Sequence, residues 1–146
     1  MVKCEELNAE MIRRLIDRAI EGMSYAYTPY SGFRVGAALL TESGEIYTGC
    51  NIENAAYTPT NCAERTAFFK AVSEGERHFT AICIVGGKDG KLADYTSPCG
   101  VCRQVMMEFC EPEQFKIILA ISREEYRIYT LKELLPEGFG PARLAR

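Results

Sequence analysis

Apolar residues near the start of the chain recur at steps of three and four, the spacing that places side chains on one face of a helix. They are Leu7, Met11, Leu15, Ile16, Ala19, Ile20 and Met23. Asn8 precedes most of them and has the residue type of a helix N-cap. The pattern predicts an amphipathic helix over about the first two dozen residues, with one face in the core.

Two apolar runs follow, over 33–40 and 46–52, and a Glu-Ser-Gly-Glu turn separates them. Short apolar runs around a tight polar turn predict an antiparallel hairpin. A polar loop over 53–61 comes next. After it, a helical segment is predicted to begin at Asn-Cys-Ala-Glu and to extend through Ala71.

The second half of the chain alternates strand and helix patterns. A strand is predicted over 81–85, and the glycine pair at 86–87 is expected to end it. Ser97 and Pro98 have the residue types of an N-cap and a first helical position, so a third helix is expected over 99–109. The remaining predicted elements are two strands and a helical turn, over 115–121, 126–131 and 131–135. This order indicates an α/β fold, in which a mixed sheet is layered with helices.

Length and charge limit the classes of function. The chain has 146 residues, 47% of them hydrophobic, so residues 1–146 are expected to form a single domain with its own core. Lys and Arg number 17 and Asp and Glu number 20, which gives a formal net charge of −3. A negative balance is unfavourable for binding a polyphosphate backbone, so no nucleic-acid partner is expected.

The compartment is also suggested by the sequence. The apolar runs are far shorter than the roughly 20 residues of a membrane-spanning helix, so no membrane partner is expected. The first residues lack the basic and then apolar order of a secretory signal, and the last residues form no lipidation motif. We therefore expect a cytoplasmic protein. A reducing compartment leaves thiols free for packing, metal binding or nucleophilic chemistry. The seven cysteines are at 4, 50, 62, 83, 99, 102 and 110.

Two cysteine segments lie where a loop is predicted to enter a helix. One is Cys62-Ala-Glu64, and the other is Pro98-Cys99-Gly-Val-Cys102. The partial positive charge of a helix N-terminus favours the thiolate, and hence a metal ligand or a nucleophile. A catalytic zinc site has three protein ligands and leaves the fourth position to water. A carboxylate beside that position, such as that of Glu64, can transfer protons between water and substrate.

Other interpretations of these residues stay open at this point. Cys-x-x-Cys also occurs in redox dithiols and in closed structural zinc sites. A closed site needs a fourth ligand, for which the chain offers Cys50, Cys83, Cys110 and the single histidine, His78. Core packing is the expected role of Cys83, in an apolar strand, and of Cys110, at a helix end. Asn61 and Glu64 also have the spacing of a helix capping box.

Four segments together resemble the small homotetrameric cytidine deaminases, a family of zinc-dependent nucleoside deaminases. They are Phe33-Arg-Val-Gly-Ala-Ala, Gly49-Cys-Asn-Ile-Glu-Asn-Ala-Ala-Tyr57, Cys62-Ala-Glu-Arg-Thr-Ala and Pro98-Cys-Gly-Val-Cys-Arg-Gln. The last two carry the Cys-x-Glu and Pro-Cys-x-x-Cys signature of zinc deaminases, with Cys in place of His. The resemblance implies a three-layer α/β fold, in which a mixed five-stranded sheet has helices on both faces.

The resemblance also implies a role for individual residues. One Zn²⁺ per chain would be bound by Cys62, Cys99 and Cys102. Glu64 would be the catalytic residue that carries protons. The nucleoside would be contacted by Phe33, Asn51, Glu53 and Ala63, and an amide with a carboxylate can satisfy a sugar hydroxyl as donor and acceptor. Phe139 would reach the active site of a neighbouring subunit, in a homotetramer with shared active sites.

The charge of such a site needs compensation. Zn²⁺ with three thiolates sums to −1, which weakens the ability of the metal to acidify a bound water. The two helix N-termini offset part of this charge. Arg65 matches a family arginine that hydrogen-bonds a zinc-bound sulfur, and Gln104 is a second candidate for that support.

The implied function is the hydrolytic deamination of free cytidine and deoxycytidine to uridine and deoxyuridine, a reaction of pyrimidine salvage. One alternative is a deaminase of another aminopyrimidine nucleoside, such as blasticidin S. Asn51, Glu53 and Phe33 favour the plain nucleoside over that alternative. A second alternative is a non-catalytic zinc or redox module. Editing of a polynucleotide would need a basic channel, which the acidic balance of the chain disfavours.

Overall fold

The structure is a computed structural model that describes residues 7–144. Cys4 and the two chain ends, for which sequence expectations were stated above, lie outside the described residues. The helices and strands are α1 (Ala9–Met23), β1 (Phe33–Thr41), β2 (Ile46–Cys50), α2 (Ala63–Ser73), β3 (Phe79–Lys88), α3 (Gly100–Phe109), β4 (Lys116–Ala120), β5 (Tyr126–Thr130) and α4 (Leu131–Leu134), followed by a 3₁₀ helix (Pro141–Leu144). Each element predicted from the sequence is therefore present.

The strands form one five-stranded mixed sheet in the order β2-β1-β3-β4-β5. β1 is antiparallel to both β2 and β3, as the predicted hairpin requires. β3 and β4 are parallel, and β5 returns antiparallel to β4. In the central register, Cys83 lies opposite Ala38 on one side and Ile118 on the other.

The sheet has a hydrophobic core on each face, because successive residues of a strand point to opposite sides. Ala38 and Leu40 of β1 pack in the cluster that contains the apolar face of α1. Ala37 and Leu39 pack in the other cluster, with residues of α2, α3 and α4. The three-layer α/β architecture with helices on both faces is thus confirmed.

Helix α1 begins where the sequence predicts it. The Asn8 side chain accepts a hydrogen bond from the backbone N–H of Met11 at 2.8 Å, as an N-cap does. Leu15, Ile16 and Ala19 of this helix are fully buried. Within the part of the chain that the structure describes, no helix has the length and apolar character needed to cross a membrane.

Two strand glycines let helices lie directly on the sheet. A Cβ atom on Gly36 would lie 2.0 Å from the carbonyl oxygen of Ala19 in α1. On the other face, a Cβ on Gly49 would lie 2.3 Å from the carbonyl oxygen of Ala63, the first residue of α2. Gly49 therefore permits the first turn of α2 to rest on the edge strand β2.

Two expected boundaries were wrong. Gly86 and Gly87 do not end β3, since they pair with Val35 and Arg34 and the strand continues to Lys88. A Cβ on Gly87 would lie 1.7 Å from the carbonyl oxygen of Lys91, so its glycine allows the next turn to fold back on the strand.

The second correction concerns the start of α3. Its N-cap is Cys99 and not Ser97, and the Cys99 sulfur accepts a hydrogen bond from the backbone N–H of Cys102 at 3.4 Å. The Ser97 hydroxyl is occupied elsewhere, because it accepts a hydrogen bond from the side chain of Arg103.

Candidate active site

Three cysteine sulfurs converge at the N-termini of α2 and α3. The sulfur atoms of Cys62, Cys99 and Cys102 all lie within 4.8 Å of one another. The distance from Cys99 to Cys62 is 3.8 Å and that from Cys99 to Cys102 is 3.4 Å. Among residues 7–144, no further cysteine, histidine or carboxylate belongs to this group.

The two ligand-bearing helices begin at this cluster, and backbone pairing fixes the loop before the first of them. Cys62 is the N-cap of α2 and Cys99 is the N-cap of α3. The loop before α2 is closed by paired backbone hydrogen bonds between Ile52 and Asn61, each 3.0 Å long. Cys62 therefore leaves the loop beside the end of β2, with the positive end of the α2 dipole at its sulfur.

Glu64 lies in the first turn of α2 and is almost completely buried, with 4% of its surface exposed. Burial raises its pKa from 4.5 to about 7, and the charge of the neighbouring Cys62 thiolate acts in the same direction. A carboxyl group with a pKa near neutrality is suited to both accept and release a proton. The capping box with Asn61 is absent, since the Asn61 amide donates to the Thr66 hydroxyl instead.

Arg65 supplies positive charge to the sulfur cluster. Its Nη2 donates to the Cys62 sulfur at 3.2 Å. Its Nε is buried and has no hydrogen-bond partner among residues 7–144. Arg65 thus places a permanent positive charge against the Cys62 sulfur, which favours the thiolate form of that cysteine.

Cys62 and Cys102 influence each other's ionisation. The hydrogen bond from Cys102, together with that from Arg65, lowers the pKa of Cys62 to about 5. The same bond to Cys62, together with burial, raises the pKa of Cys102. A bound cation would let the neighbouring thiols share the site as thiolates. Three soft sulfur ligands at two helix N-termini fit one zinc ion per chain.

Asn51 joins the end of β2 to β1 through both ends of its amide. Its Oδ1 accepts from the backbone N–H of Val35 at 2.9 Å, and its Nδ2 donates to the carbonyl of Phe33 at 2.8 Å. Phe33 begins β1 and its side chain is 40% exposed. The structure thus places Asn51 and Phe33 side by side, and holds Asn51 in one orientation.

Glu53 organises the turn before β1. Its carboxylate accepts hydrogen bonds from the backbone N–H groups of Tyr30 and Ser31, at 3.0 and 3.1 Å, and from the Ser31 hydroxyl. The Ser31 hydroxyl bond, together with those from the two backbone groups, lowers the pKa of Glu53. Glu53 also lines a pocket of about 420 Å³ with Tyr57 and Thr60 among the other wall residues. Ser31 was missed in the sequence, where nothing distinguishes it from a solvent-exposed turn residue.

The three other predicted residues differ in burial and in their contacts. Ala63 is fully buried as the first residue of α2, directly between Cys62 and Glu64. Phe139 lies after α4 and its side chain is 58% exposed in the single chain. Gln104 donates to the Phe139 carbonyl at 2.8 Å, so its observed partner is the C-terminal segment and not a cysteine sulfur.

The remaining described cysteines lie outside the cluster. Cys83 is fully buried in β3, as expected for core packing. Cys110 is partly buried at the C-cap of α3, and Cys50 is partly buried at the end of β2. His78 also stays outside the cluster, so the four fourth-ligand candidates of the closed-site interpretation are not gathered there.

Comparisons with known proteins agree with this site. Residues 9–118 match the family model described as the cytidine and deoxycytidylate deaminase zinc-binding region. A cytidine deaminase of Sporosarcina psychrophila is 49% identical over 128 residues, which cover 88% of this chain and 90% of the relative.

Solved structures show the same relationship. A crystal structure of cytidine deaminase from Burkholderia pseudomallei superposes with a TM-score of 0.79 at 43% identity, covering 86% of this chain and 97% of that one. A cytidine deaminase structure from Mycobacterium tuberculosis gives 0.75 at 38% identity, covering 87% and 95%. On the match to the family model and the identity to its relatives, this chain belongs to the cytidine and deoxycytidylate deaminase family.

Proposed function

We propose that the protein deaminates free cytidine and deoxycytidine hydrolytically, giving uridine or deoxyuridine and ammonia. The observation that carries the proposal is the buried carboxyl group of Glu64, which interacts with Cys62 and Cys102 of the three converging cysteines. Relatives that are called cytidine deaminase, up to 49% identical to this chain, support the choice of substrate.

Cys62, Cys99 and Cys102 would hold the zinc ion, a Lewis acid that when bound would lower the pKa of water and so make hydroxide available to attack the ring. Glu64 accepts a proton from the attacking water and delivers it to N3 of the cytosine ring. It then accepts the second proton of that water and passes it to the amino group, which leaves as ammonia. Burial raises the pKa of Glu64 above its ordinary value, which favours a carboxyl group that can both accept and release a proton.

The other predicted site residues would bind the sugar and the base. Asn51 is oriented by β1 and retains one amide N–H for a sugar hydroxyl. Glu53 offers carboxylate oxygens at the pocket that it lines. Phe33, next to Asn51, would pack against the nucleoside, and Ala63 would contact the base from the first turn of α2. Arg65 holds the Cys62 sulfur and offsets the charge of three thiolates.

The reaction can be tested by adding cytidine to the zinc-loaded protein and following the ultraviolet change to uridine. We expect turnover that a chelator abolishes and added zinc restores. The Glu64→Gln variant should bind zinc like the parent but lose at least about 10²-fold in kcat, since removing a positioned general acid–base costs that much. Zinc binding without activity on any cytosine compound would instead indicate a non-catalytic module. Turnover of blasticidin S but not of cytidine would indicate the other aminopyrimidine specificity.

We further propose that residues 1–146 act as one domain in a homotetramer in the cytoplasm, without a nucleic-acid partner. The 58% exposure of Phe139 in the single chain supports a role at a neighbouring subunit. The formal net charge of −3 supports a free nucleoside over a polynucleotide as substrate.

A further inference from the structure

Cys99 is the most exposed of the three clustered cysteines. Cys102 is buried inside α3 and Cys62 is partly buried. Cys99 instead lies at the end of a segment over 91–98 that contains no helix or strand. A metal ligand in that position needs something other than regular secondary structure to fix its sulfur.

Arg103, one turn into α3, donates through three of its guanidinium N–H groups, two of which bond to this segment. Its Nε donates to the carbonyl of Pro98 at 2.8 Å, and its Nη2 donates to the Ser97 hydroxyl at 3.0 Å. Its Nη1 donates to the carbonyl of Leu134, the last residue of α4. A planar fork with fixed donor directions can meet three acceptors at once, which a lysine ammonium cannot do in the same geometry.

Both peptide groups that flank the Cα of Cys99 are bonded to Arg103. The carbonyl of Pro98 receives the side-chain Nε, and the carbonyl of Cys99 receives the backbone N–H at 3.0 Å. Because a peptide group is planar, holding the Pro98 oxygen also fixes the direction of the Cys99 N–H. The backbone N–H of residue 103 would be present with any side chain other than proline. The side chain therefore contributes the Pro98 half of the constraint.

We propose that Arg103 is a positioning residue of the metal centre, whose side chain fixes the backbone of Cys99 and thereby the position of its sulfur. It acts through the peptide group of Pro98, whereas Arg65 bonds a cysteine sulfur directly. The bond to Leu134 attaches the Arg103 side chain to α4, which fixes the guanidinium that bonds the Pro98 carbonyl. The inference rests on the zinc binding of the proposed function but not on its substrate.

The test compares zinc affinity in Arg103→Ala, Arg103→Lys and a matched control, Arg77→Ala. Arg77 also donates to backbone carbonyls, those of Val72 and Glu76, at the far end of α2 from the cysteines. Affinity is measured by competition with a chromogenic chelator, well below the unfolding temperature of each protein. The absorption bands of the Co²⁺-substituted proteins report the ligand geometry.

We expect Arg103→Ala to bind zinc at least about tenfold more weakly than the parent, the usual effect of removing support from a metal ligand. Its Co²⁺ bands should shift, because the Cys99 sulfur is no longer held. The zinc affinity of Arg103→Lys should lie between those of the parent and Arg103→Ala. The affinity of Arg77→Ala should stay within about twofold of that of the parent, with unchanged Co²⁺ bands.

Parent-like affinity and unchanged Co²⁺ bands in Arg103→Ala would overturn the proposal, and so would an equal loss in Arg77→Ala. Parent-like binding by Arg103→Lys beside a weak Arg103→Ala would assign the effect to charge and also overturn it. If Arg103→Ala does not fold, Arg103→Lys decides by the same two measurements. Failure of the zinc-loaded parent to act on cytidine would reject the proposed function and leave this zinc comparison intact.

Discussion

Glu64 carries an ionisable group at a position where solvent cannot stabilise its charge. Burial raises its pKa from 4.5 to about 7, so the folded protein retains this proton to higher pH than the unfolded chain. Between those two values the folded state binds more protons, and the free energy of unfolding falls as the pH rises. Above about pH 7 the Glu64 carboxyl group causes no further fall in the free energy of unfolding.

This linkage predicts a pH effect in the zinc-free protein. As the pH rises from 4.5 through 7, the free energy of unfolding of the parent should fall by roughly 3 kcal/mol relative to that of Glu64→Gln, because the pKa of Glu64 is raised to about 7. Urea unfolding of both proteins across this range measures the difference. Parallel pH profiles for the two proteins would contradict the burial of an ionisable carboxyl group at this position.

Arg65 is expected to act on the sulfur and not on the fold. Arg65→Ala should keep the folded structure but bind zinc about tenfold more weakly, because it removes the donor to Cys62. Arg65→Lys, which retains the charge, is the control. Zinc content and kcat equal to those of the parent in Arg65→Ala would remove Arg65 from the mechanism.

At the scale of elements, the site depends on how closely α2 lies on β2. Gly49 sets that distance, since a Cβ there would also lie 2.6 Å from the backbone nitrogen of Ala67. The first turn of α2 carries both Cys62 and Glu64. Displacement of this turn should therefore change the metal centre as well as the packing.

Gly49→Ala and Gly36→Ala form a matched pair for this expectation. Both should lose about 1–3 kcal/mol of stability, because each forces a helix backbone away from the sheet. Only Gly49→Ala should also weaken zinc binding in the folded protein, since Gly36 contacts α1, which carries no ligand. Denaturant unfolding and chelator competition measure the two effects. Equal zinc affinity in both variants would show that α2 adjusts without moving its cysteine.

At the scale of the whole molecule, the proposed assembly makes a prediction about shared sites. Glu64→Gln and Phe139→Ala should each be nearly inactive alone. If Phe139 completes a neighbour's site, co-expressed mixtures of the two should regain activity, because some sites then combine an intact Glu64 with a neighbour's intact Phe139. Cytidine turnover by the purified mixed assembly is the measurement. No recovery in mixed assemblies of confirmed composition would place Phe139 in the active site of its own chain or outside any site.

Much of the fold followed from local patterns, because periodicity reports which face of an element is buried. The α1 spacing and the Asn8 cap depend only on neighbours within a few residues, and both were confirmed. The predicted end of β3 was wrong. Gly87 does not end the strand, and its lack of a side chain instead makes room for the backbone of Lys91 in the following turn. The predicted N-cap of α3 was wrong for a similar reason. The Arg103 side chain donates to the Ser97 hydroxyl, and the Cys99 sulfur accepts the capping hydrogen bond.

The sequence by itself determined the residue chemistry: two cysteine segments, an adjacent carboxyl group, and the helix starts that favour thiolates. It could do so because motif spacing and capping are properties of short stretches of chain. Only the tertiary structure decided that three sulfurs from two helices meet within 4.8 Å, that Glu64 is buried and that Arg103 bonds the Leu134 carbonyl of α4. These features depend on contacts between segments that are far apart in the chain, and such contacts arise only when the sheet orders its helices in space.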